Sequence, residues 1–160
     1  EWLPNYLVLS VTGDLEKMES FQKGLFYVQD ISSMMVAEKT APKKDSYIID
    51  VCAAPGGKSS HLAEKLAGTG MVEARDLTEY KVSLIEENIQ RHGLNNMNAV
   101  QMDATILDET SKNKADVLIC DREGFSTYES IYRAKEIFGA DKIVIVLMDF
   151  YRYKASGHGV

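Results

Sequence analysis

The apolar run Tyr47-Ile48-Ile49-Asp50-Val51 leads directly into Cys52-Ala53-Ala54-Pro55-Gly56-Gly57-Lys58-Ser59. Residues 58–67 then read as a helix, stopped by Gly68-Thr69-Gly70. A strand, a glycine turn and a helix in immediate succession leave few folds open. Glycine carries no Cβ, so backbone N–H groups at such a turn can come close to a ligand. A small molecule held at the carboxyl end of a strand is therefore expected.

The alternation continues downstream. Residues 71–75 read as a strand, and Thr78 caps a helix that runs to Arg91 and closes at His92-Gly93. Val82, Ile85 and Ile89 recur in it at helical spacing. Residues 98–102, 115–120 and 142–148 read as strands, and 127–138 as a helix with Tyr128, Ile131, Ala134 and Phe138 on one face. Upstream, residues 6–11 and 24–29 read as strands. Residues 32–39 read as a helix with Ser32 or Ser33 as N-cap, broken at Ala41-Pro42. Strands alternating with helices imply an α/β fold with a mostly parallel sheet and helices on both faces. The 160 residues suit one domain, made of a lead-in (1–46), a cofactor-binding half (47–121) and a closing half (122–160).

Ligands of such sheets sit outside the carboxyl ends of the strands. Four successive strands bring an acidic residue to that edge: Asp50 before the glycine loop, then Asp76, Asp103 and Asp121. A phosphate-binding loop would need a glycine five positions ahead of Gly57-Lys58-Ser59, where Cys52 stands. A dinucleotide fingerprint would need Gly-x-Gly-x-x-Gly, which the adjacent pair Gly56-Gly57 does not supply. Asp76, about 20 residues past the turn, is placed to accept hydrogen bonds from both hydroxyls of an unphosphorylated ribose. A nucleoside without phosphates suits S-adenosylmethionine, with Asp103 placed to accept from an adenine amino group. Asp50 has two readings: acceptor for the cofactor's amino group, or cap for the loop's own N–H groups. Lys58 also has two: neighbour of the cofactor's carboxylate, or a solvated residue in the first turn of a helix.

Net charge is −6, the wrong sign for a domain that grips nucleic acid unaided. The two cysteines, Cys52 and Cys120, are too few for a disulfide framework and read as buried thiols of a cytoplasmic protein. His61, His92 and His158 show no metal-ligand spacing, and His61 reads as structural or partly exposed. No apolar run approaches the roughly 20 residues that span a bilayer. The chain opens on Glu1 with no signal segment, as an excised piece of a longer protein would.

Residues 21–121 resemble the RsmB/Sun family of RNA 5-methylcytosine methyltransferases. The likeness rests on Gly24-Leu25-Phe26-Tyr27-Val28-Gln29-Asp30-Ile31-Ser32-Ser33, on Asp50-Val51-Cys52-Ala53-Ala54-Pro55-Gly56-Gly57-Lys58, on Glu86-Glu87-Asn88 and on Ala115-Asp116-Val117-Leu118-Ile119-Cys120-Asp121. The resemblance implies a Rossmann-like methyltransferase core. It further implies that Cys52, Ala53, Ala54, Pro55, Gly56, Gly57, Lys58, Asp76, Asp103 and Asp121 line an S-adenosylmethionine pocket, with RNA as substrate. The family also uses a cysteine in a Pro-Cys after the fourth strand and a nucleophilic cysteine in a Thr-Cys after the fifth. Here Asp121 is followed by Arg122-Glu123-Gly124-Phe125, and residues 143–149 hold no Thr-Cys. No catalytic residue is therefore assigned, and cofactor binding without turnover is expected. Residues 121–155 resemble instead the SanA/YdcF family, through Gly124-Phe125-Ser126-Thr127-Tyr128-Glu129-Ser130-Ile131-Tyr132-Arg133-Ala134. The two resemblances meet at Asp121, which implies a chimera of two α/β sheets, either retaining the ligand or serving as a scaffold that binds nothing.

Overall fold

The structure is a computed structural model that describes Tyr6 and residues 13–120. Strands β1 (Tyr47–Asp50), β2 (Met71–Asp76), β3 (Met97–Gln101) and β4 (Val117–Ile119) form one sheet in the order β3-β2-β1-β4. Every pairing is parallel. The helices are α1 (Glu19–Gln22), α2 (Ile31–Thr40), α3 (Gly57–Lys65) and α4 (Glu79–His92), with a single 3-10 turn at Leu15–Lys17. The expected strand at 6–11, Tyr6 apart, the expected strand at 142–148, the expected helix at 127–138 and Asp121 lie outside the described residues.

The register explains the two-sided core. Ile48 pairs with Val72 and Val117, and Val72 with Met97, so these side chains share one face. On that face they pack with Val36 and Ala37 of α2, Leu62 and Ala63 of α3 and Ile85 of α4. Ile49 and Leu118, one residue along, point to the opposite face as the two-residue period of a strand requires. Among the described residues that second face is covered by irregular chain, through Ala104 and Ala115, and not by a helix.

Local signals account for most boundaries. Thr78 accepts from the Lys81 N–H and starts α4; Gly93, at φ +63°, ends it. Two expectations fail. The cap of α2 is Asp30, whose carboxylate accepts from the Ser33 N–H at 2.8 Å, so neither Ser32 nor Ser33 serves. Residues 24–29 form no strand. They lie along the C-terminal end of α4, where the Gly24 carbonyl meets His92 Nδ1 at 3.1 Å and the Tyr27 ring packs edge-on against His92.

Gly70 is required by close approach. Its φ is +64°, and a Cβ there would stand 2.2 Å from the Ser46 carbonyl oxygen, which accepts the Met71 N–H. Gly68 has φ +79° with nothing in reach of a Cβ. Gly70→Ala is expected to cost roughly 2 kcal/mol or more by urea denaturation, and Gly68→Ala only about 1 kcal/mol of backbone strain. Equal losses at the two positions would contradict the close contact.

Candidate functional site

The strand order places the topological switch between β1 and β4, and the crevice beyond their carboxyl ends is where a ligand of this architecture sits. The glycine loop leaves β1 at that point. Asp50 anchors it from below. This carboxylate is 1% exposed and accepts from the Cys52 N–H at 3.3 Å and from the Ser59 hydroxyl at 2.6 Å. Of its two expected roles, capping the loop is the one its geometry displays.

The loop is held by bonds to β4, β2 and α4 and by one bond within itself. The Val51 N–H donates to the Ile119 carbonyl, the Ala53 N–H to the Arg75 carbonyl, and the Gly56 N–H to the Ala53 carbonyl. The Asn88 amide of α4 donates to the Pro55 carbonyl at 2.6 Å. The Ala54–Pro55 peptide is cis. Gly56 adopts φ +107°, a conformation that side chains strain to reach, and stands at the N-cap position of α3 with no side chain to close it. The first turn of α3 therefore faces the crevice with its positive dipole end.

Asp76 closes the site from β2. It is 4% exposed; one oxygen accepts from the Ala54 N–H at 3.1 Å, the other from the Leu77 N–H at 2.8 Å. Lys81 pairs with it at 3.2 Å from a half-exposed side chain. A carboxylate offers about four lone-pair sites, so the two backbone bonds fix its orientation and leave capacity for ligand hydroxyls. The Lys81 contact, near solvent, is weak enough to yield to a ligand. The Thr78 cap frees Asp76 from serving α4.

Asp103 follows β3, whose end is tied to β2 by the Met102 N–H donating to the Asp76 carbonyl. One Asp103 oxygen accepts from both the N–H and the hydroxyl of Thr105, forming a tight turn at the site's edge. Lys58, half-buried in the first turn of α3, lies close enough to Asp30 to act on its charge. Burial works to raise the Asp30 carboxyl, but hydrogen bonds from Ser32 and Ser33 together with Lys58 hold it below its usual value. Lys58 is thus more enclosed than a solvated first-turn residue. Cys52 and Cys120 both pack beside Ile49, Val51 and Leu118, but they are half-buried and not the fully buried thiols expected. His61, on α3, is 7% exposed, and burial keeps it below the usual imidazole pKa; it packs edge-on against Tyr6, as a structural histidine does.

Asn88 and Ser59 carry bonds that shape the loop, yet neither stands out in the chain as a site residue. Asn88 lies within the Glu86-Glu87-Asn88 likeness, which is the one signal that marks it.

Residues 37–138 match the model of the 16S rRNA methyltransferase RsmB/F family. The chain belongs to this family. It is 42% identical over 107 residues to a tRNA (cytosine(72)-C(5))-methyltransferase of Pyrococcus horikoshii, covering 67% of the chain and 27% of that protein. It is 44% identical over 102 residues to a probable ribosomal RNA small subunit methyltransferase B of Bacillus subtilis, covering 64% of the chain and 23% of that protein. Among solved structures, NSun6 from Pyrococcus horikoshii with SFG aligns with a TM-score of 0.64 at 41% identity, over 69% of this chain and 29% of that one. A SAM-dependent O-methyltransferase from Thermotoga maritima, 21% identical with a TM-score of 0.62, shares the fold. The Rossmann-like methyltransferase fold is thereby established. The chain spans about a quarter of the length of the curated relatives it matches. The RsmB/F match crosses Asp121 without a break, so residues 122–138 also fall within this family's pattern. A change of lineage at Asp121 is therefore not needed to account for the sequence. No helix among the described residues is long and apolar enough to cross a membrane.

Proposed function

We propose that this chain is the S-adenosylmethionine-binding domain of an RNA cytosine-C5 methyltransferase. The observation that carries the reading is the pairing of the glycine loop with Asp76, buried and oriented by the Ala54 and Leu77 N–H groups. That arrangement suits a ribose with free hydroxyls beside a loop whose backbone is open to a ligand. The relative of known structure at 41% identity carries SFG, an S-adenosylmethionine analogue. In this reading residues 52–58, Asp76, Asp103 and Asp121 line the pocket. Bound S-adenosylmethionine supplies an electrophilic methyl group; the chain's own residues bind and orient it. RNA is the partner that acts on this group, and the chain's charge of −6 leaves most of the grip on RNA to other parts of the protein.

The same reading makes the chain incompetent for turnover. Cytosine C5 becomes nucleophilic only after a thiolate adds to C6. Cys52 lies in the cofactor loop, and Cys120 precedes Asp121 rather than following it in a Pro-Cys. Incubation with methyl-labelled S-adenosylmethionine and transcribed small-subunit rRNA tests both parts. The protein should retain labelled cofactor on a filter while the RNA stays unlabelled. Label appearing in cytosine would contradict incompetence, and a protein that retains no label would contradict cofactor binding.

A further inference from the structure

Both polar atoms of the Gln29 amide are sealed from solvent and have no hydrogen-bond partner among the described residues. A primary amide carries two donors and an acceptor, and leaving them unmade inside a protein is expensive. Native folds rarely tolerate this without a reason. The amide's position supplies one. Gln29 Nε2 stands 3.9 Å from the point that a Cβ on Gly57 would occupy, at the first residue of α3 and the end of the glycine loop. The residue after it, Asp30, spends its carboxylate on capping α2 through Ser32 and Ser33, so it fixes the backbone that presents Gln29.

We infer that Gln29 binds the amino-acid end of S-adenosylmethionine, its N–H donating to the carboxylate and its carbonyl accepting from the ammonium. The inference rests on the cofactor reading above and adds a residue outside the loop and the strand-end carboxylates. The surroundings suit a zwitterion. The open N-terminus of α3 and Lys58 favour a carboxylate, and a neutral amide can satisfy both charges without adding one of its own. Asp76, at the end of β2, is committed to the ribose, so the two residues address different parts of one ligand.

Calorimetric titration of the parent chain and of Gln29→Leu decides the matter. Two ligands are compared: S-adenosylmethionine and 5′-methylthioadenosine, which keeps the ribose and base but lacks the amino-acid end. Gln29→Leu should weaken S-adenosylmethionine by roughly tenfold or more, the loss of hydrogen bonds to charged groups, and leave methylthioadenosine within about twofold. The ligand-free variant should melt no lower than the parent, because an unsatisfied amide has been replaced by an apolar side chain of similar size. Unchanged affinity for S-adenosylmethionine would overturn the inference. So would an equal loss for both ligands accompanied by a lower melting temperature, which assigns Gln29 a structural role. If the parent chain bound neither ligand, the cofactor reading itself would fall, and this inference with it.

Discussion

Asp76→Ala should lower affinity for S-adenosylmethionine by roughly a hundredfold or more. The two ribose hydroxyls each lose a hydrogen bond to a charged acceptor, worth about 1.5–3 kcal/mol apiece. The same change removes the acceptor of the Ala54 and Leu77 N–H groups, so some stability goes with it. Asp76→Asn separates the effects. It keeps one carbonyl oxygen and the side chain's shape, so the fold should hold while affinity still drops. An Asp76→Asn variant with parental stability and parental affinity would remove the ribose from this carboxylate.

The second large effect lies on the opposite face of the sheet. Arg75 is 3% exposed in β2, one residue before Asp76. Its guanidinium donates to Glu73 at 2.5 Å, pairs with Asp108 at 3.2 Å and bonds Ser111. It thereby pins the irregular segment after β3 over a face that no described helix covers. Arg75→Ala leaves two enclosed carboxylates without their cation, and breaking a buried pair from one side costs about 3–5 kcal/mol. Chemical denaturation measures this directly, and a loss under about 1 kcal/mol would contradict the role given to Arg75. Acid should undo the same cluster. Hydrogen bonds from Ser111 and Thr110, with the charge of Arg75, hold the Asp108 carboxyl down to about 2. A carboxyl depressed in the folded state contributes stability that is complete above its unfolded value, about 3.9, and fades as pH falls through about 2. The Arg75→Ala variant should lose less stability than the parent over that interval.

Arg75 also marks the limit of what the chain discloses. A strand reading of Met71 to Arg75 was available from β-forming residues and the flanking turns, but an arginine in a strand reads as solvent-facing. Its partners Asp108 and Ser111 are more than thirty residues away, and nothing local announces them. Caps were legible because their chemistry is local: Thr78 and Gly93 serve as their residue types require, whereas α3 ends at Lys65, ahead of Gly68-Thr69-Gly70, and Ala67 takes the left-handed turn at φ +50°. Residues 24–29 were misread for the opposite reason. Their apolar, aromatic character suits a strand, yet a strand exists only with a partner, and this segment instead packs on α4 through His92 and Arg91. The loop and Asp76 were legible because the strand–turn–helix pattern fixes where a strand ends. Gln29 lies within the RsmB-like stretch, but nothing local marks a role for it, since an unsatisfied amide is visible only once its surroundings are built.

Both readings of the site, and the inference about Gln29, depend on one event: occupancy of the crevice beyond β1 by S-adenosylmethionine. Isothermal titration of the unaltered chain with S-adenosylmethionine tests it most directly. Saturable binding at one site per chain, abolished or strongly weakened in Asp76→Ala, is the expected result. An absence of heat and of any thermal shift at millimolar cofactor would contradict the account.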